Sequence, residues 1–180
     1  MTVDDPALRD ALASSQRLGM LGARPIEEVV DHAGAFAAAL AEITGTVVDL
    51  GTGGGVPGLV IAAARPDLRL VLVDRKVRRT DHVRRLVSRL GWQDRVTVLT
   101  ADAADLDLDR PADAAVARGF GPPELTIGVA ARLVRPGGLV VISEPPGADG
   151  SRWHHDVLAG AGVGIVPSPD PRVVTFRCST

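Results

Sequence analysis

Val47-Val48-Asp49-Leu50-Gly51-Thr52-Gly53-Gly54-Gly55-Val56-Pro57-Gly58 reads as a buried strand that runs into a glycine loop and out into a helix. Val47, Val48 and Leu50 suit a strand packed on both faces. Gly51, Gly53, Gly54 and Gly55 let the backbone turn tightly and approach a ligand. Pro57 suits the first turn of a helix, where its missing N–H costs nothing. Helical spacing continues through Leu59, Ile61 and Ala62 to Ala64. A strand, a glycine loop and a helix in this order make a nucleotide-cofactor site.

Two cofactor classes use such a loop. Gly53-Gly54-Gly55-Val56-Pro57-Gly58 satisfies the dinucleotide pattern G-x-G-x-x-G, and Asp74 supplies an acid at the end of the next strand. In that pattern, however, the first glycine follows the strand directly, and here the strand has already ended at Gly51. From Asp49 the segment reads D-x-G-x-G-x-G, which resembles the first motif of class I S-adenosylmethionine (SAM) methyltransferases. SAM has no phosphate, so its site needs glycines for close approach and an acid near the ammonium group. Asp49 supplies that acid, and the reading favours SAM over a dinucleotide.

The 180 residues are 46% hydrophobic, enough chain for one domain with a sizeable core and too little for a second. We expect a single methyltransferase domain over 1–180, with a helical N-terminal extension (1–45) and a SAM-binding core (46–180). Residues 1–10 hold three aspartates and no apolar h-region, and no apolar run is long enough to span a bilayer. The expectation is a cytoplasmic protein without a membrane contact. Cys178 is the only cysteine, and His32, His82, His154 and His155 are scattered, so no metal site is expected. A net charge of −2 gives no global attraction to nucleic acid, so such binding requires a local patch.

Helical periodicity covers Ala7–Leu21 and Pro25–Ile43, and from there strand and helix alternate. Strands are expected at Thr46–Leu50, Arg69–Val73, Arg95–Thr100, Asp113–Ala117 and Leu139–Ser143, the last after the turn Arg135-Pro136-Gly137-Gly138. Helices are expected at Pro57–Ala64, Lys76–Leu90, Pro123–Leu133 and near Trp153–Ala161. Two short strands, Val163–Val166 and Arg172–Arg177, end the chain. This alternation predicts an α/β fold with a doubly wound, mostly parallel sheet, Rossmann-like, extended at its edge by a C-terminal antiparallel hairpin.

Ligands in such sheets lie beyond the carboxyl ends of the strands, near the switch in strand order. Asp49 to Gly55 ends the first strand. Asp74 ends the second, placed to take ribose hydroxyls. Asp102 and Ala103 end the third, with Asp102 able to accept from an adenine amino group or merely to cap a helix start. Ala117-Arg118-Gly119-Phe120 ends the fourth, and Ser143-Glu144-Pro145-Pro146 the fifth. The cofactor-binding candidates are Asp49, Gly51, Gly53, Gly55, Pro57, Asp74, Asp102 and Ala103.

The run Leu18-Gly-Met-Leu-Gly22, Glu27 to His32, Val47 to Gly58, Ala64-Arg-Pro-Asp-Leu-Arg69 and Leu72-Val-Asp74 resembles the bacterial RsmG (GidB) family, from about residue 17 to about residue 142. The resemblance implies a SAM-dependent enzyme that methylates N7 of a guanine in small-subunit ribosomal RNA. Ala117-Arg118 matches the family's arginine after the fourth strand, and the resemblance places His32 near the pocket. The chain departs from the family at Ala33-Gly34-Ala35-Phe36, and at Ser143-Glu144, where the family has Lys-Gly.

Guanine N7 carries a free lone pair at neutral pH, so methyl transfer needs in-line positioning and little proton shuttling. The scarcity of acid–base pairs fits that chemistry. Arg118 is the candidate catalytic and substrate-binding residue, since a guanidinium can hold a phosphate or guanine O6. His32 is the second substrate-binding candidate, with a packed helix histidine as the alternative. The helix from Arg75 to Arg89 carries seven basic residues against Asp81 alone, either an RNA backbone track or a solvated face. Trp92 and Trp153 could stack a base or pack in the core. A methyltransferase of small molecules, or a SAM-binding regulatory protein in which Glu144 and the two prolines close the site, remains as an alternative.

Overall fold

Strand β1 (Thr46–Leu50) lies near the middle of a seven-stranded sheet in the computed structural model, which describes residues 5–180. Residues 1–4, part of the N-terminal stretch that lacks an apolar h-region, lie outside the described residues. On one side β1 pairs in parallel with β2 (Arg69–Asp74), and β2 with β3 (Val96–Thr100). On the other it pairs with β4 (Ala112–Ala117), and β4 with β5 (Val134–Ser143). β6 (Val163–Val166) and β7 (Val173–Cys178) complete the order β3-β2-β1-β4-β5-β7-β6. The expected hairpin is present, but its second strand is inserted against β5. Only β7 therefore runs against the others, and β6 points the same way as β1.

The period of two along each strand divides the core. Val47, Leu70, Leu72, Val116 and Val141 face one layer, made with α1 (Pro6–Arg17), α2 (Ile26–Ala39), α3 (Gly58–Ala64) and α4 (Val77–Arg89). Val48, Leu50, Val73, Ala115 and Ile142 face the other, with α5 (Pro123–Leu133) and α6 (His155–Ala161). No helix joins β3 to β4. Instead Ala103 and Leu106, on the connecting loop, plug the second layer.

Several boundaries differ from the sequence expectation for local reasons. α1 stops at Arg17 instead of Leu21, because Gly19 takes a left-handed conformation (φ 68°). α2 stops at Ala39 instead of Ile43. Pro57 stands just outside α3, at its N-cap, and Gly58 is the first helical residue. β5 begins at Val134 and carries the expected turn within it. Ala112 pairs with Val134, the register then shifts, and Ala114 pairs with Leu139.

Candidate functional site

The sheet order reverses direction between β1 and β4, and two cavities open beyond the carboxyl ends of the strands there. The first, of about 530 Å³, lies over β1, β2 and β3, and Gly51, Asp74, Arg79, Asp102 and Phe120 contribute to its walls. The second, of about 410 Å³, lies over β4 and β5, with Arg24, His32, Arg118, Phe120, Glu144 and Arg152 in its lining. Gly119, Phe120 and Gly121 line both.

Of the glycine loop, Gly51 lines the larger cavity, while Gly53 lines neither. Gly51 has a φ of 68°, and a Cβ there would stand 2.9 Å from the Phe120 ring, so only glycine fits under that ring. Asp49 is fully buried below the loop, and its Oδ2 accepts from the Gly58 N–H at 3.0 Å. A Cβ on Gly58 would run into Leu72 and stand 2.6 Å from that carboxylate oxygen. Burial pushes the Asp49 carboxyl from 3.8 up to about 6, against the Thr52 hydroxyl, the Gly58 amide and the Arg118 charge. Asp49 Oδ1 and Thr52 Oγ1 have no partner of good hydrogen-bond geometry. Asp49, Gly55 and Pro57 are thus buried supports of the loop and line neither cavity.

Asp74 is 4% exposed and faces the larger cavity. Its Oδ2 accepts from the Gly53 N–H at 3.1 Å and from Arg79 at 3.2 Å, and its Oδ1 from the Lys76 N–H at 2.9 Å. One carboxylate therefore locks the glycine loop to the start of α4. Exposed Asp102 turns Oδ1 to the Ala104 N–H at 3.1 Å, so it organises its own loop while lining the cavity beside Ala103. Arg79 is a wall residue that the basic run concealed, because a count of charges does not reveal a partner.

From below, Ser15 on α1 donates to the Gly54 carbonyl at 2.8 Å, and its hydroxyl lies 3.0 Å from His82 Nε2 on α4. Ser15 is fully buried, and the first helix is tied to the loop through it. Neither Ser15 nor His82 carries a sequence signal for this role, since each lies among other polar residues of its helix.

In the smaller cavity Arg118 is partly buried and makes no hydrogen bond or ion pair among the described residues. Burial and the neighbouring Arg24 lower its pKa, while Asp49 raises it. His32 presents its ring at 6.2 Å from Phe36, and its buried Nδ1 has no partner. Burial, then the charges of Arg118, Arg172 and Arg24, depress the His32 pKa and favour the neutral ring. Glu144 lines the same cavity. Arg24 was not anticipated and sits in the connection before α2 with no motif around it.

The remaining candidates separate. Along α4, Arg79 is committed to Asp74, and Arg84 to Asp81, Thr100 and the Val98 carbonyl. Arg78, Arg85 and Arg89 are exposed, which leaves a narrower basic face than the sequence suggests. Trp92 and Trp153 are each 6% exposed, the first under Arg95 and the second edge-on to Phe176, so neither offers a face to a base. Among the described residues no cluster of three or more His, Cys, Asp or Glu could hold a metal, and no helix is long and apolar enough to cross a membrane.

The larger cavity fits SAM on structural grounds: acids line it at the ends of β2 and β3, and Gly51 of the glycine loop lines it where a Cβ would meet the Phe120 ring. Solved structures with the same fold include the N-methyltransferase NodS from Bradyrhizobium japonicum, at a TM-score of 0.61 and 16% identity over 89% of this chain and 100% of that one. The S-adenosylmethionine-dependent methyltransferase SibL aligns at 0.68 and 18% identity over 96% and 70%. Among sequences, the ribosomal RNA small subunit methyltransferase G of a Nocardioides species is 37% identical over 87% of this chain and 68% of its own length. That of Kineococcus radiotolerans is 33% identical over 84% and 61%. The chain thus spans about two thirds of these two curated relatives. The family model described as rRNA small subunit methyltransferase G matches residues 12–144. With that match and those identities, the chain belongs to the rRNA small subunit methyltransferase G (GidB) family.

Proposed function

We propose that this protein is a SAM-dependent methyltransferase that acts on N7 of a guanine in small-subunit ribosomal RNA. The observation that carries the reading is the pair of cavities meeting at Phe120, one with Gly51, Asp74 and Asp102 in its lining and the other with an unpaired arginine. Family membership supports the RNA substrate.

In this reading Asp74 takes the ribose hydroxyls, Asp102 and Ala103 border the adenine, and Gly51 and Gly53 give the backbone its close approach. Asp49 acts from beneath the loop as the negative charge nearest the ligand's ammonium group. When bound, SAM supplies a methyl group made electrophilic by its sulfonium. The acceptor purine enters the smaller cavity, where Arg118 holds O6 or an adjoining phosphate and leaves the N7 lone pair free. In-line transfer to N7 would require no proton to be removed from the acceptor, so these residues would serve to hold and orient it. His32, kept neutral by its surroundings, adds a polar edge to the acceptor wall.

Phe120, between two glycines, is the partition the two reactants must share. The exposed Arg78, Arg85 and Arg89 on α4 extend the positive surface for the RNA backbone. A small-molecule acceptor is the second reading, favoured by the mixed lining of the smaller cavity, where Glu28 and Glu144 stand among the cations.

Calorimetry with SAM and with NAD, followed by transfer of labelled methyl from SAM to small-subunit particles, tests the proposal. Saturable SAM binding, silence with NAD and label mapped to a guanine N7 are expected. NAD binding without SAM binding overturns the cofactor assignment. SAM binding with no label on RNA overturns the substrate and favours the second reading.

A further inference from the structure

Glu144 is the most unusual polar side chain of the smaller cavity. It comes directly after β5, its side chain is 8% exposed, and it lines the smaller cavity. Its Oε1 accepts from Trp153 Nε1 at 2.6 Å, and Arg152 Nε lies 3.8 Å from the same oxygen. Its Oε2 is buried and has no hydrogen-bond partner among the described residues. An unmet carboxylate oxygen inside protein is costly, because desolvation is not offset by a donor. Trp153, held edge-on to Phe176, fixes the carboxylate's position. The group is buried and held, and it lacks a donor that a ligand could bring.

We propose that Glu144 determines acceptor specificity by reading the N1–H and N2–H edge of an extruded guanine. The proposal rests on the guanine assignment above and adds the residue that recognises the base. Guanine presents two adjacent N–H donors on one edge, a match for the two oxygens of a carboxylate. Adenine and cytosine place an acceptor beside their amino group, and uracil has one N–H between two carbonyls. Enzymes that act on bases read an extruded base by its Watson–Crick edge. Oε2 accepts from one donor, while Oε1 accepts from the other with the lone pair not used by Trp153.

The order of groups along the purine agrees with the order of strands. N1 and N2 meet Glu144 beyond β5, O6 faces Arg118 beyond β4, and N7 points on toward the glycine loop beyond β1. Glu144 and Arg118 would thus hold the base at two points and leave the reacting nitrogen uncovered.

The test compares wild type, Glu144→Gln and Glu144→Ala on small-subunit RNA carrying guanosine or inosine at the methylated position. Inosine keeps N7, O6 and N1–H and lacks only the 2-amino group. Wild type should prefer guanosine in kcat/KM by roughly tenfold or more, the scale of one hydrogen bond to a charged group. Both variants should raise KM for guanosine RNA and bring the preference to within about twofold, with SAM affinity unchanged. Glu144→Gln keeps an acceptor for Trp153, and SAM binding reports that each variant is folded. Variants that retain the wild-type preference overturn the proposal, as do variants that lose activity on both bases equally, which would show a structural role. If wild type methylates no guanine in small-subunit RNA, the guanine assignment itself has failed and this inference falls with it.

Discussion

Replacing Asp49 with asparagine should stabilise the protein at neutral pH, although it removes a charge from the centre of the glycine loop. Burial holds the Asp49 pKa near 6 in the folded protein, against 3.8 ordinarily. At about 1.4 kcal/mol for each pH unit, that rise is worth about 3 kcal/mol. The folded state binds this proton more tightly than the unfolded chain. The Asp49 contribution is therefore fully present below about pH 4 and is lost as pH rises through about 6. Asparagine cannot ionise. Its oxygen can accept from the Gly58 N–H, and its amide nitrogen then meets Thr52 Oγ1, which has no partner in wild type.

Denaturant melts of both proteins from pH 4 to pH 8 measure this. The stability of Asp49→Asn relative to wild type should climb by up to about 3 kcal/mol across the window, or about 6–12 °C in Tm for a chain of this size. Asp113 and Asp170, whose ion pairs with Arg135 and Arg172 hold their pKa values down, weaken both proteins alike in acid and cancel in the difference. A difference that stays constant from pH 4 to pH 8 would refute the argument that Asp49 is a desolvated acid. A second reading comes from the ligand. If the ammonium of SAM lies above Asp49, wild-type affinity for SAM should rise between pH 5 and pH 7, and that of the variant should not.

Arg118→Ala should lower kcat/KM on RNA by roughly tenfold to a hundredfold, the scale of a lost hydrogen bond from a charged group, with SAM affinity within about twofold of wild type. A parallel loss of SAM binding would move Arg118 to the cofactor side. Ser15→Ala removes the hydroxyl that serves the Gly54 carbonyl and His82, and should cost about 1–3 kcal/mol in thermal melts. An unchanged Tm would mean that α1 does not support the loop. Neutralising Arg78, Arg85 and Arg89 together should reduce the slope of log affinity for RNA against log salt by roughly 2 to 3, with methyl transfer at saturating RNA retained. An unchanged slope would place the RNA elsewhere.

How far the sequence alone could be read depends on the range of each interaction. β1, the loop and α3 are legible because period, glycine and proline act on neighbours within a few residues, and Asp74 is legible from its distance to the loop. The role of Asp74 there is not legible. Beyond the local Lys76 N–H, its partners are an N–H twenty-one residues earlier and an arginine in the first turn of α4, and both depend on the fold. The same limit applies to α4, where composition shows five arginines and only tertiary contacts separate Arg79 and Arg84, which are engaged, from Arg78, Arg85 and Arg89. Glu144 makes the point most clearly. In the sequence it is an acid before two prolines that invites a reading of obstruction. In the structure Pro145 lines the cavity without filling it, and Trp153 turns the carboxylate into a buried wall. β5 shows the opposite failure, because Arg135-Pro136-Gly137-Gly138 has turn chemistry and yet sits inside a strand whose pairing starts before it.

Both cavities that meet at Phe120 carry charges of both signs, in a protein of net charge −2. Asp74 and Asp102 line the larger cavity at the ends of β2 and β3 with Arg75, Lys76 and Arg79 beside them, and Asp49 lies buried beneath the loop. Arg24, Arg118 and Arg152 gather at the ends of β4 and β5, where a polyanion would arrive. Coulombic coupling of Arg118 to Asp49 spans the partition, and the two halves are therefore not independent. Ionising Asp49 favours the charge on Arg118, and a cationic ligand above Asp49 would weaken that hold and leave Arg118 more available to an anion. Cofactor binding first, with RNA affinity increased by it, is the order this electrostatic arrangement favours.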